Sequence, residues 1–437
     1  MALVTGMGAV TPLGVGVRAF AQGLRAGRSG TRLIPWRDPR VKSRVAATCP
    51  DFVPESVMSA ADVARFPKLV PMALAAAREA CAQAGLLAAG DTPVLDDNHI
   101  DPREVGVILG TGAGGIDFTL DQADAGHNGR RISLWTITNA THGNLAGELS
   151  IRLGAKGPSL CVSTGCASAS DAVGMARDLL MSDRPGAPRV MVVVGSDAHV
   201  RWETLAGMEL LGVISTRAAE TEEDAVAASR PFCRSRDGFI LGEGAWAIVL
   251  EREDARQREW IERRGLTGSR TIARVRGYGV TCDAFHRVRP DPDMTESIHA
   301  MRLAMTDAKV EPNDIGVVHY HGTATQLNDA LETHAVRGAL GEHAANVPGH
   351  SVKSMIGHPQ GASGLASLVS TLAGLTGADG GEPFLLPTIN LREPDPACNL
   401  NYTASGSRPA DPARHKIALI NCLAFGAKNS ALVVEVT

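Results

Sequence analysis

Apolar residues in this chain follow two rhythms that alternate from one end to the other. Short runs rich in valine, isoleucine and leucine predict strands at 2–5, 106–110, 159–162, 189–195, 246–251, 271–278, 316–321, 417–421 and 431–436. Longer, Ala-rich segments with apolar residues three and four apart predict helices over 17–26, 71–85, 143–153, 167–181 and 295–307, one starting near Asp329 and one ending near Leu375. Pro71 in a first helical turn and Gly85 just past the end fit the usual start and stop residues. The β-branched run to Gly195 predicts a central strand, and Ser159 to Val162 a buried one. Strand–helix alternation throughout predicts an α/β protein with mostly parallel sheets.

The alternation runs through the same plan twice. A strand, a loop holding a reactive residue and a small-residue helix follow one another around Cys166, and again around His358. Charges of both signs crowd into 254–270, which sets the expected boundary between an N-terminal half, 1–255, carrying Cys166, and a C-terminal half, 256–437. The second half carries His321, Lys353 and His358.

Composition narrows the function classes. The chain has 437 residues, 44% apolar and 21% charged, with a net charge of −4. That is room for two to three domains, and it argues against bulk attraction to nucleic acid or an anionic membrane. No apolar run reaches the roughly 18–20 residues needed to span a bilayer, and the first residues lack a signal-peptide pattern, so a cytoplasmic location is expected. The eight cysteines, at 49, 81, 161, 166, 233, 282, 398 and 422, include no C-x-x-C pair. No metal site is expected, and all but Cys166 are expected to be reduced and mostly buried.

Cys166 stands where a strand turns into a helix, in Ser163-Thr164-Gly165-Cys166-Ala167-Ser168. A sulfur at a helix start meets backbone N–H groups and the positive end of the helix dipole, which favours thiolate over thiol. His321 ends an apolar strand, and His358 follows Gly357 in a loop. Catalytic groups gather at the C-terminal ends of parallel strands, so these three residues are expected to converge. The glycines near the N-terminus lack the G-x-G-x-x-G spacing of a dinucleotide loop, and no Lys-Ser/Thr follows those at 110–115.

These residues carry a resemblance. Cys166 in its Ser-Thr-Gly-Cys-Ala-Ser setting, His321-Gly322-Thr323-Ala324-Thr325, Lys353 to His358, and Asn421 to Asn429 resemble the motifs of the β-ketoacyl-[acyl carrier protein] synthases. The stretches from Val4 to Gly14 and from Arg236 to Gly244 match further parts of that family, in family order over essentially the whole chain. The resemblance implies a thiolase-like fold, with two similar halves forming a five-layered α-β-α-β-α core, working as a homodimer or as a heterodimer with a related ketosynthase-like subunit.

It also implies a chemistry. An acyl chain passes from a carrier-protein thioester to Cys166, then joins a malonyl thioester with loss of CO₂, in fatty-acid or polyketide synthesis. Thiolate suits thioester exchange. His321 and His358 would stabilise the enolate, Lys353 would orient the site, and the N–H groups of Cys166 and Phe425 would form an oxyanion hole, with Phe425 as gate. Thr323 and Thr325 would bind the pantetheine arm, which the acyl carrier protein supplies; no covalently bound cofactor is implied. Ala113 and Thr136 would line the acyl pocket, and Arg130 and Arg131 would dock the acidic carrier protein.

The chain departs from the family pattern at Ala169, Ser367, Leu423, Ala424, Ala427 and Gln326, where glycine, glutamate, phenylalanine, glycine, glycine and proline are common. These departures lean the reading toward a pathway-specific enzyme of secondary metabolism with a less mobile gate, and the small residues at Ala113 and Thr136 imply a wider or deeper acyl pocket. The alternatives are a chain-length-factor-type partner subunit, a non-decarboxylative acyltransferase, a thiolase using Cys422, and a papain-like hydrolase. The first would lack the nucleophile, and the last explains neither the second histidine nor Lys353.

Overall fold

The computed structural model describes every residue except 89, 91–93, 97–99, 254–270 and 405. The expected boundary between the halves therefore lies outside the described residues. Long apolar strands and Ala-rich helices alternate in two passes. The first pass is β1 (Ala2–Thr11), α1 (Leu69–Gln83), β2 (Val105–Gly110), α2 (His142–Leu153), β3 (Ser159–Val162), α3 (Ser168–Met181), β4 (Val190–Asp197) and β5 (Gly244–Arg252). The second is β6 (Ala273–Cys282), α4 (Thr295–Ala308), β7 (Val317–His319), α5 (Gln326–Leu340), β8 (Gly349–His350), α6 (Lys353–Ile356), α7 (Ser363–Leu375), β9 (Ile417–Ala424) and β10 (Lys428–Val436).

Among the described residues each pass builds a five-stranded sheet of the same topology. The orders are β3-β2-β4-β5-β1 and β8-β7-β9-β10-β6. In both, the first two joins are parallel and the last two antiparallel. The expectation of mostly parallel sheets is thus half right. In the second half β9 turns straight back into β10 through a tight hairpin, which makes the pair antiparallel, and in the first half the longer connection after β4 also brings β5 back antiparallel. The sheets meet edge to edge where Ala2–Val4 pairs with Ala273–Val275.

Helices α3 and α7 pack against each other between the sheets, inside the largest apolar cluster. Helices α1 and α2 cover the outer face of the first sheet, and α4 and α5 that of the second. This is the five-layered α-β-α-β-α order of the thiolase fold. Helix α7 is buried along its whole length, which is why its sequence is nearly all Ala, Gly, Ser, Leu and Val. Among the described residues no helix is long and apolar enough to cross a membrane.

Three local expectations change. Strand β3 is not buried: it is the edge of its sheet, with Ser159 and Leu160 exposed. The stretch after Ser351, read as strand and loop, coils into the short helix α6 once β8 ends at His350, and Met355 and Ile356 pack into the apolar cluster between the sheets. Cys282 is exposed and Cys161 only half-buried, while the other six cysteines are buried.

Candidate active site

Cys166 lies in the tight turn between β3 and α3. Gly165 takes φ +66°, and a side chain there would meet the Phe425 carbonyl oxygen at 3.2 Å and the Ala424 methyl at 3.5 Å. The Ser168 hydroxyl closes the turn, accepting from the Thr164 N–H at 2.9 Å and donating to the Gly165 carbonyl at 2.6 Å. Behind it, the Asp171 carboxylate accepts the Thr164 and Tyr278 hydroxyls, tying the turn to β6 of the other half. Ala169 fits where a glycine is common because Gly110 and Gly195 leave it room.

His358 occupies the equivalent place in the second pass, between β8 and α7. Its N–H donates to the Ile240 carbonyl at 2.7 Å, and its Nδ1 lies 3.0 Å from the Ser363 hydroxyl. His321 follows β7. The Glu332 carboxylate, from the buried face of α5, accepts the N–H of His321 at 2.6 Å, of Gly322 at 2.7 Å and the side-chain amide of Asn421 at 2.7 Å. Lys353 Nζ donates to the His321 carbonyl at 2.7 Å and sits 3.5 Å from His321 Nδ1. The two imidazoles meet edge to face at 5.2 Å, and Phe239 flanks His358 at 5.0 Å. Cys166 Sγ and one nitrogen of each histidine all lie within 4.8 Å of one another. That spacing could also hold a soft metal ion, although the Lys353 amino group against it disfavours further positive charge.

Electrostatics corrects one expectation. Burial pushes the Cys166 thiol up to about 11, against the opposing pull of Lys353 and the backbone N–H groups of Phe425 and Cys166. Removal from water outweighs the helix start, so the resting sulfur is a thiol. Burial, then Lys353, holds His321 and His358 well below the usual imidazole range, so both rings are neutral at pH 7 and each carries one N–H. Burial raises Glu332 to about 7 in spite of its three donors.

A cleft of about 280 Å³ opens onto the sulfur. Cys166, His321, His358 and Phe425 line it, with Thr323 and Thr325 among its walls. The two threonine hydroxyls lie 3.1 Å apart, and Thr325 also caps α5. Gln326, where proline is common, opens α5 and donates its side-chain amide to the Arg236 carbonyl. Lys353 stands behind the histidines. Ala113, Thr136, Arg130 and Arg131 lie outside this cleft. Ala113 is half-buried with its N–H on Asp197, Thr136 opens a short helix, and exposed Arg130 pairs with Asp124.

Sequence models identify the architecture. The one described as "Beta-ketoacyl synthase, N-terminal domain" matches residues 2–256, and "Beta-ketoacyl synthase, C-terminal domain" matches 272–381. The chain belongs to the β-ketoacyl synthase family. As a member it is an acyl-transferring enzyme. It is similar to "3-oxoacyl-[acyl-carrier-protein] synthase 2" of Synechocystis, 33% identical over 99% of this chain and 97% of the relative. It is 36% identical to "Oxytetracycline polyketide putative beta-ketoacyl synthase 1" of Streptomyces rimosus, over 99% and 96%. A ketosynthase solved with a type II polyketide acyl-carrier protein and bound to the hexaketide superposes with a TM-score of 0.84 at 27% identity, covering 100% of this chain and 99% of the other.

The site also holds residues that sequence reasoning left without a role there: Glu332, Asn421, Asp197, Gln360 and Ser363. For Glu332 a signal existed. Asp329, Glu332 and Val336 share one helical face, and charges on an apolar face mark buried partners. Cys422, a buried thiol of the Asn421–Asn429 motif, donates to the Cys166 carbonyl at 3.1 Å and lies 3.7 Å from His321 Nδ1.

Proposed function

We propose that this ketosynthase carries out decarboxylative Claisen condensation between an acyl chain on Cys166 and a malonyl group on an acyl carrier protein. The observation that carries the reading is the meeting of Cys166, His321 and His358 within 4.8 Å at the foot of one cleft. In the first half-reaction the Cys166 sulfur attacks the incoming thioester. The carbonyl oxygen gathers charge against the N–H groups of Cys166 and Phe425, and the pantetheine thiol leaves with the proton given up by Cys166.

In the second, a malonyl thioester enters along Thr323 and Thr325. Loss of CO₂ leaves an enolate whose oxygen accepts from the N–H groups of His321 and His358. The enolate carbon then attacks the acyl carbonyl, and the Cys166 thiolate is expelled and reprotonated. Lys353, donating toward His321 Nδ1, directs that ring's own N–H into the cleft, and a Ser363 hydroxyl donating to His358 Nδ1 does the same for the second ring. Neutral rings suit this role, since each must offer a proton without giving it up.

The reading extends to the whole chain. Residues 1–255 and 256–437 form its two halves. Ile132, Leu134, Ile137, Ile151 and Leu160 are exposed, Leu160 on edge strand β3 and Ile151 on α2 packed against it, and would suit contact with a second copy or a related subunit. Ala113 and Thr136 line the acyl pocket on that side, and Arg130 and Arg131 receive the acidic carrier protein in the cytoplasm. The replacements at Leu423, Ala424 and Ala427 support a pathway-specific enzyme of secondary metabolism. Ala427 holds φ +62° without being glycine, which stiffens the Phe425 loop.

The test is CO₂ release from a malonyl carrier thioester. His321→Ala and His358→Ala should each lower it by about 10²–10³-fold, the usual effect of losing one oxyanion donor. Release within threefold of the native rate in both variants would contradict the assignment.

A further inference from the structure

Two residues beyond His358, Gln360 adopts φ +46°, a conformation that side chains other than glycine and asparagine avoid. The loop around it gives it no freedom to relax. The next N–H, of Gly361, donates to the buried Asp197 carboxylate at 2.7 Å, and a Cβ on Gly361 would lie 2.0 Å from the Gly112 nitrogen. The same carboxylate holds the N–H groups of Gly112 and Ala113, so the loop after β2 and the loop before α7 are locked together. Strain kept in place by such anchoring is a mark of function.

The anchored backbone holds a buried amide against the reacting sulfur. Gln360 is only 6% exposed, and its Oε1 lies 3.7 Å from Cys166 Sγ, accepting the thiol proton. Its Nε2 is buried with no hydrogen-bond partner among the described residues. Turning the amide over exchanges the two ends without supplying the missing partner. Gln360 is also absent from the walls of the cleft that admits the carrier arm. It meets the sulfur from outside that cleft, in a loop that Asp197 ties to Gly112 and Ala113, the side on which the acyl pocket is proposed.

Acylation sharpens the mismatch. The new S–C bond removes the thiol proton, so Oε1 loses its donor while Nε2 still lacks an acceptor. Both ends of the amide then face the first carbons of the acyl chain. A saturated chain leaves both unpaired. An oxygen on the third carbon satisfies one of them: a 3-oxo group accepts from Nε2, and a 3-hydroxyl donates to Oε1. We propose that Gln360 is a specificity-determining residue that selects acyl chains bearing an oxygen at the third carbon over saturated chains of the same length. This rests on the reading of Cys166 as the acylated residue. Sites built to pair a substrate oxygen discriminate strongly against analogues that lack it, because the protein group is then stranded.

The experiment compares acylation rates of the native protein with hexanoyl, 3-oxohexanoyl and 3-hydroxyhexanoyl carrier thioesters at matched sub-saturating concentration, read as acyl mass on the Cys166 peptide. At least one oxygenated chain should react ten times faster or more than hexanoyl, and which one does so identifies the end of the amide that pairs. Gln360→Met, of similar length but without the amide, should bring the ratio to within about threefold, chiefly by raising the hexanoyl rate. Gln360→Asn tolerates the left-handed backbone and draws the amide back by one carbon, and should give an intermediate ratio. A native ratio within twofold overturns the proposal even where a variant does not fold, and so does a ratio unchanged by Gln360→Met. Acyl mass on Cys166 without preference overturns this assignment alone; no acyl mass on Cys166 from any thioester overturns the condensing reading beneath it as well.

Discussion

Cys166 combines a hidden sulfur with neighbours that each address one stage of its chemistry. Burial keeps the thiol protonated, up to about 11, so the thiolate fraction at pH 7 is small and rises about tenfold with each pH unit. Iodoacetamide labelling of the Cys166 peptide should therefore climb about tenfold per unit from pH 7 to 9 without levelling. A plateau at or below pH 8.5, followed by peptide mapping, would show a thiolate already formed and would contradict burial as the dominant influence. Cys166, His321 and His358 were legible in the sequence because each stands in a short motif at a strand end. Glu332, Gln360 and Asn421 were less so. Glu332 reaches Asn421 across 89 positions and Gln360 reaches Cys166 across 194, and no local pattern encodes such meetings.

The elements that place these residues depend on close approach of small side chains. The strand end at Gly110 lies against the first turn of α3, where a Cβ would fall 2.5 Å from the Ala169 Cα and 2.6 Å from its nitrogen. Backbone cannot yield as a flexible side chain can. Gly110→Ala should destabilise the protein by about 1–3 kcal/mol, as overpacking does, and slow Cys166 acylation by displacing its turn. Urea unfolding and acylation rates together check this, and an unchanged midpoint with unchanged acylation would contradict it. The helices packed on the sheets were read from their periodicity, α3 and α7 among them, whereas the helices at Ile116–His127 and Trp202–Leu210 were not, since each buries a single residue and shows no apolar face. Strand β3 was misread because an apolar run does not reveal whether a strand is central or at the edge. Helix α6 was missed because four residues give no period to detect.

At the scale of the molecule, the same strand order appears twice, and the site is built where the two passes meet. The first supplies Cys166, the second His321, Lys353, His358 and the Phe425 loop, and α3 and α7 hold them in register between the sheets. The duplicated plan was legible from the repeated strand, loop and small-residue helix around Cys166 and His358. The mixed direction of the strands was not, since pairing direction depends on connections rather than on apolar content. Condensation at this site requires one residue to carry the acyl chain, and the most direct measurement is peptide mass after incubation with an acyl carrier thioester. The expected result is one acyl mass on the peptide containing Cys166, absent from Cys166→Ala. Acyl mass only on other cysteines, or labelling that survives Cys166→Ala, would contradict it.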